Sequence, residues 1–414
     1  MLSRQLIGWY TKSIQSAKNY IYSSNTESIL IKNKFMRVLH VYRTYFPDAQ
    51  GGLQEAIRQI CIACGGYGIE SKVFVLSPNP NPTTITAKEG QIVRSRSWLA
   101  PASCDLGGVD SFHQFNQLAK WADIIHFHFP WPYADVLNLI SGHKKPTLLT
   151  YHSDIVKQKI ANAFYAPLRT HMLNSMDAIV ATSPVYADSS PVLKKYLGSP
   201  KLKMIPLGIV ESQGADKDPI SEEIFLKKLN LHQKPYLLFL GVLRYYKGLH
   251  TLVQAAKSIE SIIVIAGAGP EELSLKKQVS EMGISNIIFT GEVTEDQKNT
   301  LLKRCYALVL PSHLRSEAFG MVLIEASMHS KPMISCEIKS GTSYANHHNE
   351  TGYVVAPENP SQLAQAVNAL FSNVQQARTF GENARKRYEE LFSGPALGKA
   401  YSSLYKEILN KRIS

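Results

Sequence analysis

From Met36 onward, short runs of β-branched and aromatic residues alternate with longer stretches whose apolar positions recur at helical spacing. Residues 37–42, 72–76, 124–127, 147–151 and 178–181 predict strands, each followed by a helical pattern. Parallel strands need a crossover long enough to be a helix, so this alternation predicts βαβ units and a parallel sheet. After Ile205-Pro206-Leu207-Gly208 the pattern lapses into a polar stretch, 211–223, and resumes with strands at 236–240, 262–266, 287–290, 307–310 and 333–335. The expectation is an α/β protein of two Rossmann-like, doubly wound halves facing across a cleft. In open α/β sheets ligands bind outside the carboxyl ends of the strands, so each motif is judged by its distance from a strand end.

The first 35 residues break the alternation. Leu2, Leu6, Trp9, Tyr10, Ile14, Ala17, Tyr20 and Ile21 recur at roughly helical spacing beside Arg4, Lys12 and Lys18, and no acidic residue precedes Glu27. That pattern suits a helix lying on a membrane surface. A helix packed on the body, or an extension upstream of Met36, are the plainer readings.

Composition narrows the class. The 414 residues suffice for two or three domains, and 44% hydrophobic with 19% charged residues is a globular balance, not a disordered one. Lys plus Arg exceed Asp plus Glu by 45 to 33, a net +12 that suits anionic partners such as phosphates or a lipid surface. No recognition helix, zinc finger or aromatic platform turns that charge into a nucleic-acid reader. No apolar run approaches the 18 residues of a membrane span. Five cysteines without a regular framework point to a reducing compartment, the cytoplasm. Cys61 and Cys64 read as half-buried thiols on one helix face, since a zinc site lacks two further ligands.

Candidate chemistry gathers at strand ends. Gly51-Gly52 follow the first strand and open a helical pattern, leaving room for a ligand to approach unpaired N–H groups. His126 and His128 lie at the end of another strand, and Tyr151-His152-Ser153-Asp154 ends the next. His152 stands out because Ser153, Asp154, Lys157 and Lys159 make its surroundings polar, and a histidine there can donate to a sugar hydroxyl or a phosphate oxygen. No cysteine or carboxylate stands at ligand spacing with these histidines, so no metal is expected. Beyond the strand at 236–240, Arg244 can clamp a phosphate in bidentate fashion and Lys247 can add a point charge. Gly267-Ala268-Gly269-Pro270 resembles a nucleotide-approach turn without the full dinucleotide spacing. Ser316-Glu317-Ala318-Phe319-Gly320-Met321-Val322-Leu323-Ile324-Glu325 follows a further strand. Amides of Phe319, Gly320, Met321 and Val322 would open a helix toward a diphosphate, with Glu325 placed for ribose hydroxyls and Glu317 near a sugar.

Gly51-Gly52, His152, Arg244 with Lys247, and the stretch from Glu317 to Glu325 stand in the order of the retaining GT-B glycosyltransferases of family 4, which the chain resembles from residue 36 to about 410. The resemblance implies transfer of a sugar from a nucleotide-sugar donor with retention and without a metal or other cofactor. The acceptor would lie on the N-terminal domain, 36–208, and the donor on the C-terminal domain, 209–390. Residues 391–414 would return as a helix to the N-terminal domain. Arg244 and Lys247 would neutralise the donor diphosphate, Glu325 hold the ribose, Glu317 and His152 touch the donor sugar, and Gly51-Gly52 approach the phosphate. His126, His128 and Asp154 become candidates for acceptor contact. Many members place four residues between the arginine and lysine, whereas here only Tyr245 and Tyr246 intervene. That form, with Tyr-His-Ser-Asp and Gly341-Thr342-Ser343-Tyr344, resembles the bacterial branch that builds mannose or D-rhamnose polysaccharides from GDP-sugars. It implies GDP-mannose, with GDP-D-rhamnose next, and a glycan acceptor carried on a polyprenyl diphosphate at the inner membrane face. A UDP-sugar transferase, a nucleotide-sugar epimerase of the same fold and a non-catalytic assembly scaffold are the alternatives.

Overall fold

A computed structural model describes residues 35–100, 104–155, 159–211 and 219–412. The amphipathic pattern of residues 1–35 therefore lies, apart from Phe35, outside the described residues, as does Lys157.

The N-terminal sheet contains β1 (Met36–Val41), β2 (Ile69–Ser77), β3 (Thr84–Ala87), β4 (Gly90–Leu99), β5 (Leu106–Gly107), β6 (Ile124–Phe129), β7 (Thr147–Tyr151), β8 (Ala178–Ala181) and β9 (Leu202–Met204). Their order is β3-β4-β2-β1-β6-β7-β8-β9, with β5 on β4; the β3–β4 and β4–β5 pairs are antiparallel, and β2–β4, β1–β6, β6–β7, β7–β8 and β8–β9 are parallel. The C-terminal sheet is wholly parallel, in the order β12-β11-β10-β13-β14-β15: β10 (Tyr236–Leu240), β11 (Ile262–Ala266), β12 (Ile287–Gly291), β13 (Ala307–Leu310), β14 (Met333–Cys336) and β15 (Gly352–Val355). Strands such as Tyr-Leu-Leu-Phe-Leu at β10 are buried at every position, as expected when helices cover both faces.

β4 was not anticipated, because its middle is Arg94-Ser95-Arg96-Ser97. Arg94 is only 4% exposed, and its guanidinium donates to Asp48, to Ser77 Oγ and to the carbonyls of Asn79 and Pro82. A buried charge with each of its nitrogens hydrogen-bonded is tolerated where an unpaired one is not. The stretch expected to be a polar linker, 211–223, is helical from its later part: Pro219–Lys228 forms a helix. Cys61 and Cys64 are fully buried rather than half-buried, and burial pushes the Cys64 thiol up to about 12.

Helix Gly394–Lys411 crosses from the C-terminal half and packs on helix Gly52–Gly65 of the other. A Cβ on Gly398 would stand 2.4 Å from the carbonyl oxygen of Ala63, so the two helices touch backbone to backbone. Lys203–Glu407 at 3.0 Å and Arg412–Asp177 at 2.9 Å tie its far end to the N-terminal sheet. Among the described residues no helix is long and apolar enough to cross a membrane.

Candidate functional site

The carboxyl ends of β10, β11 and β13 build one wall of the cleft. Gly241, at φ 146, leaves β10, and the turn Gly267-Ala268-Gly269 lies directly on it. Cβ atoms on Gly267 and Gly269 would stand 2.1 Å from Gly241 O and 2.5 Å from Leu243 O, and Leu243 N–H donates to Ala268 O at 2.9 Å. Close packing of two loops thus accounts for the glycines at 267 and 269 without a nucleotide. From that platform Arg244 leads into a single 3₁₀ turn, Tyr245–Lys247, which ends on the second cation.

The cations are not equivalent. Arg244 is exposed and has no carboxylate partner among the described residues, which leaves its planar fork open for a phosphate. Lys247 forms an ion pair with Glu317, whose Oε2 also accepts from Ser312 Oγ at 3.3 Å. Burial works against the ammonium charge, but the Glu317 carboxylate outweighs it and holds Lys247 above the usual lysine range. Lys247 and Glu317 therefore enter the site as a neutral pair, not as a bare cation and a separate sugar contact.

Gly320, at φ 81, turns the chain into helix Met321–Met328; a Cβ there would meet Leu310 Cδ2 at 2.9 Å. No side chain caps this helix, so its first N–H groups remain for an anion. Phe319 and Val322 are buried beneath it. Opposite, helix Gly52–Gly65 starts without a side-chain cap at Gly51, and a Cβ on Gly52 would stand 4.0 Å from Met321 Cγ. Two uncapped helix starts, one from each half, face one another. Glu325 lies one turn along and pairs with Lys298 at 3.0 Å, a residue that sequence reasoning did not select. Burial raises the Glu325 carboxyl above its usual range, and Lys298 opposes that shift.

On the N-terminal side His152 is buried at the end of β7, its Nε2 3.0 Å from Nδ1 of His128. His128 Nε2 lies 3.1 Å from Nδ1 of His40, also unselected from sequence. His126 shares hydrogen bonds with Tyr405 OH at 2.8 Å and Thr150 Oγ1 at 2.7 Å, and Thr150 meets Tyr401 OH at 3.0 Å. His126 is thus sealed under the C-terminal helix and His128 is held between His40 and His152, with all ring nitrogens engaged, which removes them as acceptor contacts. Asp154 is corrected too: it accepts from Tyr151, Tyr186, Ser190 and, across the cleft, Arg315 at 3.0 Å. It latches the halves together rather than presenting a carboxylate to a ligand.

Burial pushes His40 and His152 down to about 3 and His126 and His128 well below the ordinary imidazole value. Between those values and about 6.5 the unfolded chain binds protons that the folded one refuses, so stability falls as pH drops through that window. Each histidine contributes up to about 1.4 kcal/mol per pH unit there. The urea midpoint should drop between pH 7 and pH 5.5, and His40→Leu should flatten the decline. Equal slopes in both proteins would remove the histidine cluster as its cause.

Residues 50–213 match the family model of Glycosyltransferase Family 4, and residues 221–387 that of Glycosyl transferases group 1. The D-rhamnosyltransferase WbpZ of Pseudomonas aeruginosa is 42% identical over 358 residues, 86% of this chain and 92% of that protein. O-antigen chain mannosyltransferase C of Escherichia coli is 38% identical over 377 residues, 91% of this chain and 100% of that protein. Among solved structures, Anabaena HepE in complex with UDP superposes with a TM-score of 0.73 at 16% identity, covering 90% of this chain and 100% of that one. At that identity the likeness is one of fold.

Proposed function

The chain belongs to the family 4 glycosyltransferases, and from that membership we propose that it moves a hexose, mannose before D-rhamnose, from a GDP-sugar onto a growing cell-surface polysaccharide. The two relatives named as a mannosyl- and a D-rhamnosyltransferase support the sugar class. The observations that carry the chemistry are an exposed Arg244 without a carboxylate partner among the described residues, on the loop whose Lys247 pairs with Glu317, and the uncapped start of helix Met321–Met328 that follows Glu317.

As the glycosidic bond breaks, negative charge grows on the leaving diphosphate. Arg244 and the N–H groups at Met321 and Val322 stabilise that charge more than the ground state, and the preformed arrangement needs no reorganisation. Glu317 keeps the Lys247 ammonium charged, and Lys247 with Arg244 stands where a metal would otherwise neutralise the diphosphate. Glu325 holds ribose hydroxyls, His152 donates to a donor-sugar hydroxyl, and the Gly51-Gly52 turn leaves space for the phosphate. The sugar is transferred with retention, the acceptor approaching from the same face and giving its proton to the departing phosphate. The acceptor is a glycan on a polyprenyl diphosphate, which accounts for the net positive charge and sets the enzyme at the inner membrane surface.

A thermal-shift comparison of GDP, UDP and ADP tests the donor. GDP at one hundred times its Kd should stabilise the protein by about 2.7 kcal/mol while UDP and ADP do little. A shift with UDP alone would replace the donor, and no shift with any nucleotide would favour a scaffold that has lost turnover.

A further inference from the structure

Next to the basic loop, three strand-end loops of the C-terminal sheet converge on a second group of side chains. His250 opens the helix after Lys247-Gly248, His313 follows Ser312 beyond β13, and Glu358 lies in the loop after β15. One ligating atom from each lies within 4.8 Å of the others, and His250 Nε2 stands 4.0 Å from Glu358 Oε1. His313 is the anomaly: it is 7% exposed, and neither ring nitrogen has a hydrogen-bond partner. A neutral imidazole carries one N–H and one lone pair, so both are stranded, and buried unpaired polar atoms of this kind need a reason. The Tyr245 ring stacks on His250 and meets His313 edge-on, 5.5 and 4.8 Å between centroids, fixing both imidazoles toward the same point.

We propose that His250, His313 and Glu358 form a zinc site that clasps the loop carrying Arg244 and Lys247 to the ends of β13 and β15. Two imidazoles and one carboxylate are a common zinc set that leaves a fourth position for water, and the half-exposed His250 and exposed Glu358 leave that position open to solvent. Zinc ligation at about 2.0–2.2 Å puts neighbouring ligand atoms about 3.4 Å apart. The approach needed is under 1 Å for the His250–Glu358 pair, within reach of rotation of a surface glutamate. The other histidine group, His40, His126 and His128, is a poorer candidate, because only His40 Nε2 lacks a partner there. The proposed ion ties loops together, and its three ligands are none of the residues assigned to donor or acceptor.

The test uses the full chain stripped of metal by a chelator. Zinc is added back by equilibrium dialysis against a competing chromophoric chelator, with metal content read by mass spectrometry. One equivalent is expected, and Glu358→Gln and His250→Ala, both at or near the surface, should weaken its binding by on the order of 100-fold. Co²⁺ in place of Zn²⁺ should give the visible absorption of a four-coordinate ion in the wild type and lose it in both variants. Less than one equivalent bound, or equal binding in wild type and variants, overturns the site. The GDP thermal shift is run on both the stripped and the zinc-reloaded protein: a shift in either keeps the donor assignment whatever the metal content, and zinc binding without any GDP shift keeps the metal site, so the two failures read out separately.

Discussion

Lys247→Ala should lower kcat by on the order of 100- to 1000-fold and weaken GDP binding as well. One preorganised charge aimed at a developing anion contributes on this scale, and here its loss has a second effect. Lys247 and Glu317 form a buried pair, so removing the ammonium leaves an uncompensated carboxylate close to where the diphosphate gains charge. The variant replaces attraction by repulsion. Adding Glu317→Gln should therefore recover part of the lost rate, because residues in one ion pair are not additive. Steady-state kinetics on the two single variants and the double variant decide the matter. An unchanged kcat in Lys247→Ala would exclude the lysine from the transition state, and strictly additive losses would break the link to Glu317.

Arg94→Ala should destabilise the N-terminal half by about 3–5 kcal/mol, the usual result of removing one partner from a buried pair. Asp48 would keep its charge with its carboxylate largely out of water and without the guanidinium 2.7 Å away, while Ser77, Asn79 and Pro82 lose a shared donor. The effect reaches the cleft. Asp48 stands three residues before Gly51, so its release unties the turn that leads into the Gly51-Gly52 helix start, and the KM for donor should rise in whatever protein remains folded. Urea unfolding gives the stability, and a loss below 1 kcal/mol would mean that the pair is compensated elsewhere.

The residues chosen from sequence and those missed differ in a physical respect. Strands such as 236–240 and 262–266 announce themselves because apolar runs bounded by glycine have few other uses. β4 does not, since its burial depends on a guanidinium satisfied by Asp48, Ser77, Asn79 and Pro82, at separations from 12 to 46 residues. His126 and His128 alternate with Phe127 and Phe129, so the two sets face opposite sides of β6. That neither side meets solvent was not legible, because the cover over His126, Tyr401 and Tyr405, comes from the end of the chain. Lys298 sits among Glu295, Asp296 and Gln297 and reads as a solvated helix face until Glu325 is set beside it. The places of Arg244 and Gly320 were readable because they are set locally: one follows a strand end, the other turns the chain into a helix.

The returning helix has a consequence for how the chain is made. The N-terminal sheet is complete at Met204, yet the tyrosines that close over His126 and Thr150 are residues 401 and 405. At roughly 5–20 residues per second, ribosomal synthesis leaves the first half waiting on the order of 10 to 40 seconds for its own last piece. During that interval a histidine-rich face and the groove along helix Gly52–Gly65 stand open. A stop codon or a bulky fusion near the C terminus would then harm not the half to which it is joined but the half that was translated first.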